Sequence, residues 1–263
     1  MAISAKDVQA LRQATGVGML DAKKALEQNN GDFEAATQWL RVQGLASAAK
    51  RTDRDNSEGA VAVVRDGANA AIVEVKCETD FVAKSDDFVN LVSEKAAAVA
   101  ARGEAATSEF TEQIEEMLTT LKENIAVGAV KRLSAGPGQV VETYLHQQSG
   151  RGVNAVIVVL EGGSEELAHD IAVHCAFAKP AYLRRDDVPA SEVDKERATV
   201  EEISRNEGKP EASLPKIIEG RLNGWYKERV LLEQAYAKDE KQNIEQLLGG
   251  ATLVAFAQVY IGA

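Results

Sequence analysis

The chain has 263 residues, 45% of them hydrophobic, and a formal net charge of -11 at pH 7 with an isoelectric point near 4.9. This acidity argues against a phosphate backbone as the main partner, since such binding uses clustered Lys and Arg and the basic clusters here are diluted by adjacent acids, so we expect no direct nucleic-acid contact. Its apolar stretches are far shorter than the roughly twenty residues of a membrane span, and no signal segment is recognisable, which indicates a cytoplasmic protein without membrane contact.

The first predicted unit covers residues 1–52 and consists of three short helices followed by a linker. Ser4 is a suitable N-cap for the first helix, and a second helix is predicted over residues 19–28. Asp32 is the expected N-cap of a third helix over residues 33–43. Three helices of this length, joined by short turns, form a small bundle.

The second predicted unit, residues 55–138, begins with two β-rich runs around Asp66 and Gly67, a dipeptide that favours a hairpin turn. Its remaining elements are two helices and a strand, predicted at residues 86–102, 108–122 and 124–133. A hairpin followed by a helix is the plan of an α+β unit.

The third predicted unit, residues 139–263, partly repeats this plan. It opens with strand, turn and strand and continues with a helix that Ser164 caps. It ends with a strand within residues 251–260, which we expect to return to the same sheet. The segment NAVIV at residues 154–158 resembles NAAIV at residues 69–73. The shared order of elements predicts two related α+β core subdomains.

A helical hairpin is predicted as an insertion at residues 189–230 of the third unit. Val193, Val200 and Ile203 have heptad spacing in its first helix. One face of its second helix is formed by Leu214, Ile218, Leu222 and Trp225. The other faces are charged, so we expect an antiparallel coiled coil that projects from the core and pairs with a second copy or with another protein.

The residue patterns do not indicate enzymatic chemistry. The segment GRGVNA at residues 150–155 joins two strands rather than opening a helix, so it predicts a turn and not a dinucleotide site. His169 and His174 point to different faces of one helix, and no Cys or carboxylate completes a metal site with them. Cys77 and Cys175 lack a CxxC context and are interpreted as reduced thiols. We therefore expect no catalytic residue, metal or cofactor, which favours a protein-binding role.

One junction is longer than its fold requires. The third unit passes from strand to helix through GGSEELAHD at residues 162–170, whereas the second unit uses CETDFVAKSDDF at residues 77–88. Added loop on a rigid scaffold is where binding residues concentrate. Phe81 could equally fold back and plug the end of the core, so the residues alone leave both alternatives open.

Several motifs together resemble the elongation factor Ts family. They are LRQATGVGMLDAKKALEQNNGD (residues 11–32), CETDFVAKSDDF (77–88), CAFAKPAYL (175–183), EGKP (207–210) and IIEGRL (217–222). Their order and spacing match the family over nearly the whole chain, and the first two are highly specific. The resemblance implies an N-terminal three-helix domain of ubiquitin-associated type, two α+β subdomains and a protruding antiparallel coiled coil.

The resemblance also implies a function and a partner. Members exchange the guanine nucleotide of elongation factor Tu, the GTPase that delivers aminoacyl-tRNA, by binding its GTPase domain and the neighbouring domain. Carried over to this chain, the group that disturbs the partner's Mg²⁺ site consists of Thr79, Asp80, Phe81 and Val82. The residues expected to dock on the partner are Arg12, Met19, Leu20 and His146.

The chain departs from the family pattern in two places. The family's frequent Met-Met pair is Met19-Leu20 here, which preserves the apolar bulk. Many members continue past the last core strand into a C-terminal helical module, which is absent from this sequence, so we expect the N-terminal domain and the core to carry the binding. Two alternatives remain: a non-exchange scaffold that binds through the bundle and buries Phe81, and an enzyme with a deep pocket near His146 or His174.

Overall fold

The computed structural model describes residues 3–262 and shows an α+β protein with several separate apolar cores. Its α-helices are Ala5–Thr15 (α1), Met19–Gln28 (α2), Phe33–Ala48 (α3), Asp80–Ala83 (α4), Asp86–Arg102 (α5), Thr111–Thr120 (α6), Glu165–Ala178 (α7), Ala190–Asn206 (α8), Leu214–Arg229 (α9) and Ile244–Leu248 (α10). Its strands are Glu58–Asp66 (β1), Asn69–Cys77 (β2), Ala126–Ser134 (β3), Gln139–Gln148 (β4), Arg151–Glu161 (β5), Ala235–Tyr236 (β6), Asp239–Asn243 (β7) and Thr252–Tyr260 (β8).

The first three helices pack around a small core of their own. Ser4 and Asp7 form a capping box, in which each side chain accepts a hydrogen bond from the other residue's backbone N–H. Asp32 caps α3 as predicted, and the helix continues past residue 43 to Ala48, in agreement with the helical tail that the alanine-rich stretch predicts. The core of the bundle is formed by Val8, Leu11, Val17, Ala22, Ala25, Leu26, Ala36 and Leu40.

The bundle rests on α6 through α3. Gly44 approaches Thr119 so closely that a Cβ atom at residue 44 would overlap the Thr119 side chain. Beyond α3, the side chain of Arg51 is buried, and its Nη2 donates to the Leu118 carbonyl at 2.7 Å. The carbonyls in the last turn of a helix have no partner within the helix, so this contact satisfies one of them.

The first sheet has the order β1-β2-β3, and all its pairs are antiparallel. Asp66 pairs with Asn69, so the hairpin loop is Gly67 and Ala68, one residue later than predicted. Gly67 has a φ of 58°, a conformation that glycine adopts without steric cost. Helix α5 covers one face of this sheet and buries Phe88 in the core between them.

The second sheet has the order β4-β5-β8, which confirms the predicted return of the last strand. Helix α7 covers one face of this sheet, as α5 does in the first. The remaining faces of the two sheets share one apolar core, because side chains alternate between the two faces of a strand. This shared core includes Val61, Ile72, Val141, Ile157, Val159 and Val259.

Helices α8 and α9 form the predicted hairpin and pack along a narrow apolar seam. Its buried residues are Val200, Leu214, Ile218 and Leu222. The prediction for Ile203 is wrong, since its side chain is 43% exposed and Ser204, one turn beyond Val200, is buried instead. The Ser204 hydroxyl is accommodated because it donates to the Val200 carbonyl at 2.6 Å.

Candidate partner-binding site

The long junction between β2 and α5 contains a helical turn of its own. Thr79 lies at the N-cap of α4 in an extended conformation, and its hydroxyl oxygen accepts from the Val82 N–H at 3.4 Å. The short helix ends at Ala83, which is fully buried, and Val82 is half-buried against the core of the first sheet. The two apolar residues at the end of the turn therefore hold it against the protein.

Phe81 lies in the same turn, and its side chain is 84% exposed. The interpretation of Phe81 as a plug for the core is therefore wrong. Phe88, at the start of α5, occupies the core instead and is fully buried. A phenyl ring left in water offers about 1.5–3 kcal/mol of apolar burial to a partner that covers it.

The turn is fastened to the rest of the protein by Glu123, between α6 and β3. The Glu123 Oε2 accepts from the backbone N–H groups of Glu78 and Thr79 at 3.0 and 3.1 Å, and its Oε1 accepts from the Thr79 hydroxyl at 2.5 Å. Bonds to an ionised acceptor are stronger than neutral ones, so three such bonds restrain the start of the turn. On the strand side, the buried Cys77 thiol donates to the Thr79 carbonyl at 3.2 Å, and burial raises the pKa of this thiol to about 12.

Asp80 lies at the start of the turn and keeps its charge. The Lys84 ammonium donates to its Oδ2 at 2.5 Å, and this hydrogen bond holds the pKa of the Asp80 carboxyl below its usual value. The Arg151 guanidinium lowers the same pKa further. The turn thus presents an exposed ring next to an ionised carboxylate.

Arg151 connects the second sheet to the first close to this turn. Its Nη1 donates to the Gly59 carbonyl at 2.6 Å, and its Nη2 donates to Glu58 Oε2 at 2.6 Å. Gly152, the next residue, approaches the Val61 carbonyl so closely that any Cβ atom there would overlap it. The start of β5 is therefore fixed against β1, the strand that pairs with β2, from which the junction leaves.

The second group of predicted contact residues lies on the bundle. Arg12 is exposed in the last turn of α1, and Met19 and Leu20 open α2 with 48% and 83% of their side chains exposed. Neither apolar residue belongs to the core of the bundle, to which α2 contributes the later residues Ala22, Ala25 and Leu26. Exposed apolar and guanidinium side chains are of the kind that protein interfaces use.

His146 lies on β4 of the second sheet. Its side chain is exposed, it pairs with Asn154 of β5, and a register shift follows it directly. The structure thus places the eight predicted residues in three groups: the turn at residues 79–82, the ends of α1 and α2, and β4.

The geometry of His174 argues against its use as a catalytic residue in the enzyme alternative. This residue is buried, its Nε2 lies 3.0 Å from Gln234 Oε1, and its Nδ1 accepts from the Ala237 N–H at 3.2 Å. Burial lowers the pKa of the imidazole, and both ring nitrogens are engaged with the protein. A neutral histidine satisfied in this way has no nitrogen left for a substrate.

Sequence reasoning missed Glu123, Asn124 and Arg151 as contributors to this region. Glu123 and Asn124 follow a predicted helix, and Arg151 stands in a segment interpreted only as a turn. Their importance comes from contacts with residues distant in the chain, which no local pattern signals.

Within residues 3–262, the structure brings no three His, Cys, Asp or Glu side chains into a group that could hold a metal ion. None of the helices in that range is both long and apolar enough to cross a membrane.

The fold and the exposed groups define a multi-unit α+β protein with surfaces suited to a protein partner. The family model described as Elongation factor TS matches residues 78–263. The chain is 45% identical to the elongation factor Ts of Clavibacter michiganensis subsp. michiganensis, over 99% of this chain and 98% of the relative. It is 43% identical to those of Renibacterium salmoninarum and Kineococcus radiotolerans, over 99% and 100% of this chain and 99% of each relative. The chain belongs to the elongation factor Ts family, a family of translation elongation factors that act in protein biosynthesis.

Proposed function

We propose that this protein is a guanine nucleotide exchange factor for elongation factor Tu in the cytoplasm. It binds the GDP-bound GTPase, disturbs the Mg²⁺ and phosphate site, releases GDP and holds the nucleotide-free form until GTP binds. It catalyses no change in covalent bonds and needs no cofactor of its own. Membership of the elongation factor Ts family supports this proposal, and the exposed ring of Phe81 is the observation that carries it.

Exchange activity has a thermodynamic requirement. If the protein lowers the affinity of the GTPase for GDP by some factor, GDP lowers the affinity of the GTPase for the protein by the same factor. A hundredfold effect corresponds to about 2.7 kcal/mol of coupling. The protein must therefore make contacts with the nucleotide-free form that it cannot make with the GDP-bound form.

Phe81 suits this requirement because its ring can be buried only in a GTPase whose nucleotide site has opened. Inserting the ring between partner helices yields the free energy of apolar burial, about 1.5–3 kcal/mol, in the opened form alone. Val82 and Ala83 hold the turn to the core, so the ring projects from a fixed base. A fixed base matters because a mobile side chain loses more conformational entropy on binding.

Asp80 supplies the polar part of the same wedge. Because its pKa is lowered, it is ionised at neutral pH, and its partner Lys84 is on the same turn. An anionic group brought to the nucleotide site competes for the donors and cations that hold the phosphates. Thr79 sets the direction of both residues through its cap.

The remaining predicted residues provide affinity and orientation. Arg12, Met19 and Leu20 dock the bundle on the GTPase domain, and His146 contacts the partner from the second sheet. The non-exchange scaffold alternative predicted a buried Phe81, which the structure contradicts. Binding through the bundle alone also gives no reason for the junction at residues 77–88.

The test measures release of a fluorescent GDP analogue from elongation factor Tu. We expect the wild-type protein to accelerate release, and the double variant Asp80→Ala with Phe81→Ala to lose most of that acceleration. Phe177→Ala is the matched control, since Phe177 is a phenylalanine of similar exposure, 79%, on α7. Release as fast with the double variant as with wild type would refute the assigned role of the turn.

The hairpin of α8 and α9 is proposed as a self-association surface. Its seam leaves Ile203 partly exposed, and its outer faces carry ion pairs such as Arg221 with Glu207 at 2.7 Å. Light scattering of the protein alone and with elongation factor Tu gives the stoichiometry. If each particle contains a single copy of this protein at all concentrations, both alone and with elongation factor Tu, the hairpin has no role in self-association.

A further inference from the structure

Three segments of the chain meet at the corner formed by Lys122, Glu123 and Asn124, which we call the 122–124 corner. It lies between the end of α6 and the start of β3, and Lys122 has a φ of 57°. A non-glycine residue in this left-handed conformation costs free energy, so the surrounding contacts must hold it in place. Each of the three side chains of the corner contacts a different segment.

Glu123 holds the start of the α4 turn. Its two carboxylate oxygens accept three hydrogen bonds, from two backbone N–H groups and one hydroxyl, all within residues 78–79. These contacts are partly buried, so water competes for them less than at an open surface. No helix or sheet supplies partners for these donors, which makes Glu123 the group that fixes their direction.

Asn124 holds the linker that leads from the bundle. Its side chain is buried, and its Nδ2 donates to the carbonyls of Thr52 and Arg54 at 3.1 and 2.8 Å. Its own backbone N–H donates to Glu78 Oε1 at 2.6 Å, so the linker and the turn share this residue.

Lys122 contacts the bundle itself. Its Nζ lies 2.7 Å from Asp21 Oδ2 on α2, the helix that Met19 and Leu20 open. This exposed pair contributes little stability alone, but it completes a short connection from the bundle surface to the turn. The two groups proposed to contact the partner are thus joined through three consecutive residues.

We propose that the 122–124 corner aligns the Thr79–Val82 turn with the bundle, and that Glu123 is its positioning residue for nucleotide exchange. This inference rests on the proposed function. Bundle docking brings the turn to the nucleotide site, and Glu123 determines where the ring of Phe81 enters. Without the carboxylate the protein still docks, but the ring samples directions that do not open the site.

The experiment compares Glu123→Ala with wild type by fluorescent-GDP release from elongation factor Tu at increasing concentrations of the full-length factor. We expect the maximal release rate to fall about tenfold or more, because misplacing a positioned group by about 1 Å is enough for such losses. The half-saturating concentration should change by less than about threefold, since the bundle surface is intact. Amide hydrogen exchange at Glu78 and Thr79 should become faster in the free variant.

Glu116→Ala is the matched control. Glu116 is exposed on α6, and among the described residues its carboxylate makes no hydrogen bond or ion pair, so the same charge is removed without touching the corner. Its release curve and the exchange of the two amides should equal those of wild type. A defect equal to that of Glu123→Ala would mean that charge, not position, matters, and would overturn the inference.

Glu123→Gln tests the role when Glu123→Ala folds poorly. The amide oxygen can still accept from the two backbone N–H groups, so we expect a maximal rate between those of wild type and Glu123→Ala. A wild-type rate for both variants, or a change confined to the half-saturating concentration, would overturn the positioning role. If wild-type protein fails to accelerate release, the proposed function itself fails, which is a separate result.

Discussion

The two strand-to-helix junctions of the core solve the same geometric problem in different ways. Between β5 and α7, residues 162–164 suffice, with Gly162 at a φ of 71° and Ser164 as the N-cap. Between β2 and α5, residues 78–85 contain a helical turn and an exposed phenyl ring. The short junction shows that an α+β unit of this kind closes without the extra turn.

The longer junction is also held in a different manner. Gly162 allows the short turn through its own backbone freedom, whereas residues 78–85 contain no residue with positive φ. The longer junction depends instead on the carboxylate of Glu123, which is far away in the chain. A segment stabilised by a distant side chain can present an apolar group that its own packing does not require.

The largest expected effect concerns Phe88, the buried phenylalanine at the start of α5, directly after the long junction. Phe88→Ala should reduce the free energy of unfolding by about 3–5 kcal/mol, because it removes a fully buried ring and leaves a cavity. Urea denaturation measures this difference. Phe81→Ala is the paired variant and should change the same free energy by no more than about 0.5 kcal/mol. Equal losses for the two variants would mean that Phe81 is packed in solution.

The next effect separates Phe81 from Phe177, the exposed phenylalanine on α7 of the third unit. Phe81→Ala should slow fluorescent-GDP release from elongation factor Tu by roughly 10–100-fold, since a ring burial of about 1.5–3 kcal/mol is lost only in the opened complex. Phe177→Ala should leave release unchanged, although its ring is almost as exposed. Equal slowing by both variants would show that exposed rings act non-specifically. It would contradict the special role assigned to the long junction.

Most of the fold follows from local patterns. The N-caps Ser4, Asp32 and Ser164 and the end of α5 lie where the sequence predicts them, because capping and glycine or proline stops act within a few residues. The hairpin loop between β1 and β2 lies one residue later than predicted, because Asp66 still pairs in the sheet. The error at Ile203 has a similar origin, because spacings of three and four residues both match a helical seam.

Local patterns predict the position of the site but not the orientation of its side chains. The excess length of residues 77–88 was visible, but burial decides between plug and projection, and burial depends on tertiary packing. Phe81 and Phe88 have the same side chain, one exposed and one buried, and only the three-dimensional contacts distinguish them. The role of Glu123 depends on bonds to residues 78–79, a separation that periodicity does not encode.

A smaller effect tests the short junction. Ser164→Ala should reduce the free energy of unfolding by about 1 kcal/mol, because the Ser164 hydroxyl oxygen accepts from the Leu167 N–H at 3.1 Å at the start of α7. Release of GDP per folded molecule should stay at the wild-type rate. Slower release at full folding would show that the second junction also serves the partner.

The smallest effect concerns the charge on the long junction. It tests whether the pKa of Asp80 is lowered by a residue of the same junction. Asp80 pairs with Lys84 of the same junction, whereas Glu165, the residue that follows the short junction, pairs with Arg65 of β1 at 2.7 Å. Lys84→Gln removes the main cause of the lowered pKa, so the pKa of Asp80 should rise toward its ordinary value of 3.8. Carboxyl NMR titration measures this shift.

The sign of the pH dependence follows from that lowered pKa. A carboxyl whose pKa is depressed by folding stabilises the protein above its unfolded pKa, and the contribution disappears as pH falls through the folded pKa. In wild type this loss is therefore confined to the acid side of pH 3.8, and Asp80 remains ionised at neutral pH with or without Lys84. A pKa of Asp80 that does not change in Lys84→Gln would mean that the pair does not form in solution. The lowered pKa of the Asp80 carboxyl would then depend on Arg151, so the turn would depend on the second sheet as well as on Glu123.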